Sequence, residues 1–71
     1  MFDRINFDPQ VMGGRACIRG TRILVATIVS QLAHRATVNE IVADYPSLTA
    51  EDVQQALEYA AWLTREQVIA G

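Results

Sequence analysis

Three of the four glycines and three of the six arginines of this chain lie within ten residues, from Gly13 to Arg22. Glycine allows positive φ or a close approach to a partner, and arginine presents a planar fork of five donors that suits phosphate or carboxylate. Thr21 lies near the start of the first predicted helix, where unpaired amide groups favour anions. The segment therefore predicts a cationic surface loop that binds an anion.

A structural role explains the same segment equally simply. Gly20 would form a turn, the Thr21 hydroxyl would bind the backbone, and the arginines would pair with acidic side chains of the second half of the chain. A nucleotide-hydrolysing P-loop is excluded, because the segment is too short and the sequence contains no lysine.

Residue types that catalyse reactions or hold metals are few. Cys17, in a predicted strand, is interpreted as a small buried apolar residue, and His34, at a predicted helix C-terminus, as a favourable contact with the helix dipole. The spacing of Ser30 from Cys17 and from His34 is not one that is typical of a catalytic nucleophile and its base. One cysteine and one histidine are too few for a disulfide or a zinc site. We therefore expect a protein that is not an enzyme and uses no cofactor.

The 71 residues allow a single domain, residues 1–71, of marginal stability. Neither a disulfide nor a zinc ion is available to stabilise it, so we expect a homodimer or a higher homo-oligomer. No segment reaches the roughly 20 apolar residues of a membrane span, and the N-terminus lacks the features of a signal peptide. These observations predict a cytoplasmic protein that does not contact a membrane.

The net charge of −2 conceals an uneven distribution. Residues 1–35 carry five arginines against two aspartates, a charge of +3, whereas residues 36–71 carry one arginine against six acids, a charge of −5. Such halves could serve two partners, one of them a nucleic acid, or could simply be a solvated surface whose charges segregate.

Residues 1–23 are predicted to form a short β arm followed by the Gly/Arg loop. Residues 5–7 and 16–18 have the composition of two short strands, separated by turn signals at Pro9 and at Gly13 and Gly14. A two-stranded ribbon is barely stable alone, so it must lie on the helices or pair with another molecule. We expect an arm rather than part of the core.

Residues 24–71 have the periodicity of three helices. In the first, which ends near His34 and Arg35, the apolar residues follow helical spacing: Val25, Ile28, Val29, Leu32 and Ala33. The predicted fold is mainly α, a three-helix, helix-turn-helix-like domain preceded by the two-stranded arm.

Capping signals mark the other two helices. Thr37 and Glu40 form a Thr-x-x-Glu box that starts a second helix of two turns, which Pro46 ends. Thr49 and Asp52 form a similar box that starts the longest helix. The pattern predicts that this third helix continues to about Ile69.

Two blocks of sequence resemble a prokaryotic family known only as domain of unknown function 433, described as homeodomain-like or helix-turn-helix-like and treated as an antitoxin family. One block runs from Gly13 to Ile23, and the other from Asp44 to Ala60. The resemblance implies a small dimeric partner of a PIN-like nuclease toxin encoded by the adjacent gene, with operator DNA as a second ligand. Where the family usually has glycine between the first two helices this chain has Arg35, so the turn there is expected to be strained or differently closed.

The third helix is too acidic for an ordinary recognition helix, since it carries Glu51, Asp52, Glu58 and Glu66. If the chain binds DNA, only Gln54 and Gln55 on this helix could read bases. The candidate nucleic-acid-binding residues therefore come mainly from the loop: Arg15, Arg19, Thr21, Arg22 and Arg35.

A helical projection predicts two faces for the third helix. The inner face is expected to consist of Val53, Ala56, Leu57, Ala60 and Thr64. Trp62 lies about opposite, which suits an interface hot spot, or it folds over the arm and completes the core. Arg65 flanks that outer face and could neutralise a metal-binding carboxylate cluster of a nuclease, or form an exposed pair with Glu58 or Glu66. The candidate partner-binding residues are Tyr59, Trp62, Arg65 and Ile69.

These observations favour an antitoxin-type binding protein that neutralises a PIN-like nuclease toxin and represses its own operon. The alternatives are a free-standing DNA-binding regulator that uses the arginine loop and a purely oligomeric interaction module.

Overall fold

The fold is mainly helical, with three helices preceded by a two-stranded antiparallel β-hairpin, as the sequence predicted. The structure is a computed structural model that describes residues 2–7, 9–10, 13 and 15–65. Its elements are β1 (Ile5–Asn6), β2 (Cys17–Ile18), α1 (Val25–Ala33), α2 (Val38–Asp44) and α3 (Ala50–Leu63). No helix in the described part of the chain is long and apolar enough to cross a bilayer.

The hairpin is tied to the start of α1 by backbone hydrogen bonds. Ile5 pairs with Ile18 across the two strands. On the other side of β2, the Ile18 amide donates to the Ile23 carbonyl at 2.9 Å, and the Val25 amide donates to the Ala16 carbonyl at 3.0 Å. β2 is therefore paired along both edges.

The expectation that the hairpin is an arm outside the core is wrong. Ile5 and Ile18 are buried and belong to the same cluster as the central residues of the helices, and Cys17 is only 1% exposed. A ribbon of two strands cannot keep its apolar face dry by itself, so this face is buried against the helices.

Side-chain caps start α2 and α3, and both are complete capping boxes. Thr37 and Glu40 exchange hydrogen bonds of 2.8 and 3.1 Å with each other's backbone amides. Thr49 and Asp52 do the same at 2.9 and 3.2 Å. α2 ends at Asp44, ahead of Pro46, so the starts of both helices and the end of α2 follow from local residue types.

The inner face of α3 is rotated relative to the predicted one. Val53 and Ala56 are fully buried as expected, but Tyr59 is only 5% exposed, whereas Leu57 is 36% exposed and Thr64 lies on the surface. The shift arises because Phe2 and Phe7, which flank β1, pack on Tyr59, and the projection of a single helix cannot show such contacts.

α3 ends at Leu63, six residues before the predicted end. Thr64 donates both its amide, at 3.1 Å, and its hydroxyl, at 2.9 Å, to the carbonyl of Ala60. Local side-chain bonds of this kind compete with continuation of a helix. Ile69 lies outside the described residues.

Asp52 connects the two halves of the fold. One carboxylate oxygen caps α3 through the Thr49 amide, and the other accepts from the Arg4 guanidinium at 3.1 Å. The Arg4 amide also donates to the side-chain carbonyl of Gln55 at 2.6 Å, and the Gln55 amide group donates to Asp3 at 2.9 Å. The segment that leads into β1 is thus fixed to the first turns of α3.

The hydrogen bond from Gln55 holds the pKa of the Asp3 carboxyl below its ordinary value, with a smaller contribution from the Asp3 backbone. A lowered folded-state pKa means that this contact contributes to stability above the unfolded-state pKa. The contribution is lost as the pH falls through the folded-state pKa.

We predict that Asp52→Ala destabilises the protein more than Glu40→Ala. Both variants remove the acidic member of a capping box, but only Asp52 is buried and binds Arg4. We expect the free energy of unfolding to fall by about 0.5 kcal/mol for Glu40→Ala and by about 1.5 to 2 kcal/mol for Asp52→Ala, in urea titrations followed by circular dichroism. Equal losses would mean that Asp52 does not hold the N-terminal segment.

Candidate interaction surfaces

The turn Arg19–Arg22 has the conformation that its glycine predicts. Gly20 adopts a φ of +80°. The Thr21 hydroxyl donates to the Ile18 carbonyl at 2.8 Å and accepts from the Ile23 amide at 3.0 Å. Thr21 therefore shapes the turn, which is the structural role considered for it, and its hydroxyl is occupied on both sides.

Arg19 and Arg22 are exposed on this turn. Within the described part of the chain their guanidinium groups form no salt bridge or hydrogen bond, so the expected pairing with acidic side chains is not observed there. Within the described part of the chain, Arg4 forms a salt bridge with Asp52 of the acidic half, a role that sequence reasoning did not single out. Two cations of the turn remain directed to solvent.

The nucleic-acid candidates do not form a single cluster. Arg19, Thr21 and Arg22 share one turn before α1, whereas Arg35 follows the opposite end of that nine-residue helix. At about 1.5 Å per residue, α1 separates them by about 13 Å. Arg15 lies before β2 and lines a groove between α1 and α3.

Arg35 occupies a left-handed turn between α1 and α2, with a φ of +75°. Its amide donates to the Leu32 carbonyl, and the Ala36 amide donates to the Gln31 carbonyl, both at 3.0 Å. These two bonds form a Schellman motif, whose left-handed position normally holds glycine. The turn expected to be strained or differently closed is therefore closed in the ordinary way, with arginine in a conformation unfavourable for an L-residue.

Four aromatic rings form a cluster between the N-terminal segment and α3. The Tyr59 ring lies 5.3 Å from Phe2 and 5.4 Å from Phe7, and Trp62 lies 5.8 Å from Phe2. Phe2 and Phe7 were missed at the level of sequence, although their apolar rings beside a predicted strand were a signal. Tyr59 is placed in the core, whereas Trp62 packs on Phe2 and is still 43% exposed.

Arg65 is held against Trp62. Its guanidinium lies 4.6 Å from the centre of the indole ring, and its Nη1 donates to the Trp62 carbonyl at 2.6 Å. Glu58 accepts from Gln54 at 3.4 Å and forms no salt bridge with Arg65, whereas Glu66, the other expected partner of Arg65, lies outside the described residues. We call Phe2, Phe7, Tyr59, Trp62 and Arg65 the aromatic patch; Phe7 is 52% exposed, and the neighbouring Leu63 is 55% exposed.

A groove of about 340 Å³ opens between the start of α1 and the end of α3. Its lining is almost entirely apolar: Ala16, Leu24, Val25, Ala26, Val29, Tyr59, Ala60 and Leu63, with Arg15 as the charged member. Tyr59 belongs both to this groove and to the aromatic patch.

The exposed side of α3 is poorly suited to bases. Glu51 and Glu58 are exposed on it, and Gln55, a base-reading candidate, is occupied by Arg4 and Asp3. Gln54 is engaged with Glu58. Among the described residues, no three His, Cys, Asp or Glu side chains come together as metal ligands.

Comparisons with known proteins agree on one family. The sequence model of a family described as "Protein of unknown function (DUF433)" matches residues 5–60. The uncharacterized protein y4eO of Sinorhizobium fredii is 32% identical over 56 residues, which are 79% of this chain and 25% of that protein. A crystal structure of a DUF433 member from Anabaena variabilis has 43% identity and a TM-score of 0.81, covering 84% of this chain and 59% of the other. The chain thus spans only part of the length of both relatives.

We predict that Arg35→Gly stabilises the protein, because glycine adopts the left-handed conformation without the steric cost of a Cβ atom. The expected gain is about 1 kcal/mol, or a rise of roughly 4 to 8 °C in the thermal midpoint. The matched control is Arg35→Ala, which removes the charge but keeps the strained conformation. An equal gain from alanine would assign the effect to charge rather than to φ.

Proposed function

The chain belongs to the DUF433 family of proteins of unknown function, and we propose that it is an antitoxin-type binding protein that neutralises a PIN-like nuclease toxin encoded by the adjacent gene. It acts in the cytoplasm as a homodimer or higher homo-oligomer and performs no catalysis of its own. Binding to operator DNA, with repression of its operon, is its second activity.

The aromatic patch carries this proposal. The Trp62 ring packs on Phe2 and remains 43% exposed. Leu63 and Phe7 are more than half exposed. Tryptophan and arginine are the residues most enriched at interface hot spots, and grouped exposed apolar side chains on a small domain indicate a binding surface. The patch therefore supports a protein partner more directly than any other surface of the fold.

Arg65 suits a partner that presents carboxylates. The indole ring and the Trp62 carbonyl hold its guanidinium in place, so less side-chain entropy is lost on binding. A PIN-like nuclease would present a cluster of metal-binding carboxylates. A desolvated arginine could neutralise such a cluster and displace its magnesium ion.

DNA binding through the turn Arg19–Arg22 is the second candidate function, either as autorepression or as the sole role of a free-standing regulator. It is favoured by the two exposed guanidinium groups, which pair with no described residue. Since α3 is acidic and Gln55 is occupied, we assign DNA contact to phosphates near this turn rather than to base reading by α3. A purely oligomeric module would use the aromatic patch alone.

We predict that Trp62→Ala weakens the complex with the product of the adjacent gene at least tenfold, because a hot-spot side chain contributes more than about 1.4 kcal/mol. The measurement is co-purification of the two proteins and calorimetric titration, together with relief of toxicity in cells. Leu57→Ala is the control, since this side chain is 36% exposed on another part of α3.

Urea titration of the Trp62 variant separates lost binding from lost folding. The antitoxin proposal fails if the wild-type chain forms no complex and does not relieve toxicity. An intact complex with a folded Trp62→Ala protein would instead remove the aromatic patch from the interface.

For DNA, we predict that Arg19→Ala combined with Arg22→Ala abolishes a mobility shift of the upstream DNA. The wild-type shift should weaken steeply with salt, and loss of two phosphate contacts should reduce the slope of log K against log salt by roughly 2. Arg65→Ala, on the aromatic patch, is the control. A shift unaffected by the double substitution would place the DNA site elsewhere.

A further inference from the structure

We propose that the groove between α1 and α3 is a binding site for a small monocarboxylate with an apolar body. This site is additional to the proposed protein interface and does not depend on it. Its volume of about 340 Å³ lies within the range of small-molecule sites, and an almost wholly apolar lining with a few polar groups is typical of them.

Small side chains create the space. Ala26 lies on α1 and Ala60 on α3, and both line the groove at positions where a larger residue would fill it. Leu24, Val29 and Leu63 supply the apolar surface around them. The described chain thus provides a hollow for an alkyl or aryl group.

Two residues of the lining, Arg15 and Tyr59, carry polar groups that favour a ligand of negative charge. Among the described residues of the lining Arg15 is the charged one, and its guanidinium has five donors, so it can serve a carboxylate beside any other contact that it makes. Tyr59 is 5% exposed, but its hydroxyl is not cut off from solvent and forms no hydrogen bond with a described residue. The positive charge of Arg15 suits a carboxylate and disfavours an ammonium group, and a tyrosine hydroxyl can donate to a carboxylate.

The dimensions favour a small molecule over a docked helix. The wall formed by α1 runs from Leu24 to Val29, about 7.5 Å, and the wall formed by α3 runs from Tyr59 to Leu63, about 6 Å. A helix that docks through residues i to i+7 needs at least about 10 Å of groove. The site is long enough for one short chain or ring only.

The test is titration of the isotopically labelled 71-residue chain with hexanoate, hexan-1-ol and hexylammonium, followed by amide chemical shifts. We expect saturable shifts at Ala16, Ala26, Val29 and Ala60, with a dissociation constant of the order of 1 mM for hexanoate. The alcohol should bind about tenfold more weakly, and the ammonium ion more weakly still. Arg15→Gln should remove the preference for hexanoate over the alcohol.

Ala26→Phe should abolish binding of all three probes by filling the groove, whereas Ala33→Phe, an exposed alanine of α1 outside the lining, should leave binding unchanged. Equal binding of hexanoate and hexylammonium, or shifts that Ala26→Phe does not remove, would overturn the proposal. So would the absence of saturable shifts. It would also be overturned if translational diffusion showed a dimer that Ala26→Phe dissociates, because a second copy of the chain would then fill the groove.

Discussion

The Asp52 carboxylate is the contact on which the rest of this structure depends. It starts α3 by capping the Thr49 amide, and it holds the segment before β1 through Arg4. That second contact acts together with the backbone bonds between β2 and the start of α1 and with the hydrogen bonds of Gln55 to Arg4 and Asp3. These contacts hold a ribbon that would be marginal in water by itself. The same residue therefore caps the start of the longest helix and helps to hold the segment before β1 against it.

The position of the hairpin on the helices determines which aromatic side chains are buried and which stay exposed. Phe2 and Phe7, which flank β1, pack on Tyr59, which is part of the core, while Trp62 contacts Phe2 and stays 43% exposed. The two interpretations of Trp62, cover of the arm and exposed hot spot, are therefore compatible. The Arg65 guanidinium lies over the indole ring, which gives the surface a positive charge beside its apolar area.

The structure also shows which arginines connect the cationic and acidic halves of the chain and which do not. Arg4 forms the salt bridge between the cationic and the acidic halves of the described chain. Arg19 and Arg22 remain in solvent, on a turn whose Thr21 hydroxyl is hydrogen-bonded to the backbone. Arg35 occupies the position of a Schellman motif that normally holds glycine, and its left-handed conformation raises the backbone energy of the folded state. The sequence does not indicate the exposure of Arg19 and Arg22, because it depends on which groups lie close in space, whereas the family resemblance already pointed to Arg35 as an unusual residue for its turn.

The sequence by itself determined the local features: the two strands, the start of each helix, both capping boxes, the end of α2 and the family. The structural features depend on residues within about four positions of one another, where hydrogen bonding and helical spacing act directly. The family is indicated by two longer blocks, from Gly13 to Ile23 and from Asp44 to Ala60. Tertiary structure alone decided that the hairpin enters the core, that Tyr59 rather than Leu57 faces inward and that Ala26 and Ala60 border one groove. Arg4 and Asp52 are 48 residues apart, and contacts over such separations form only when packing of the whole chain brings the elements together.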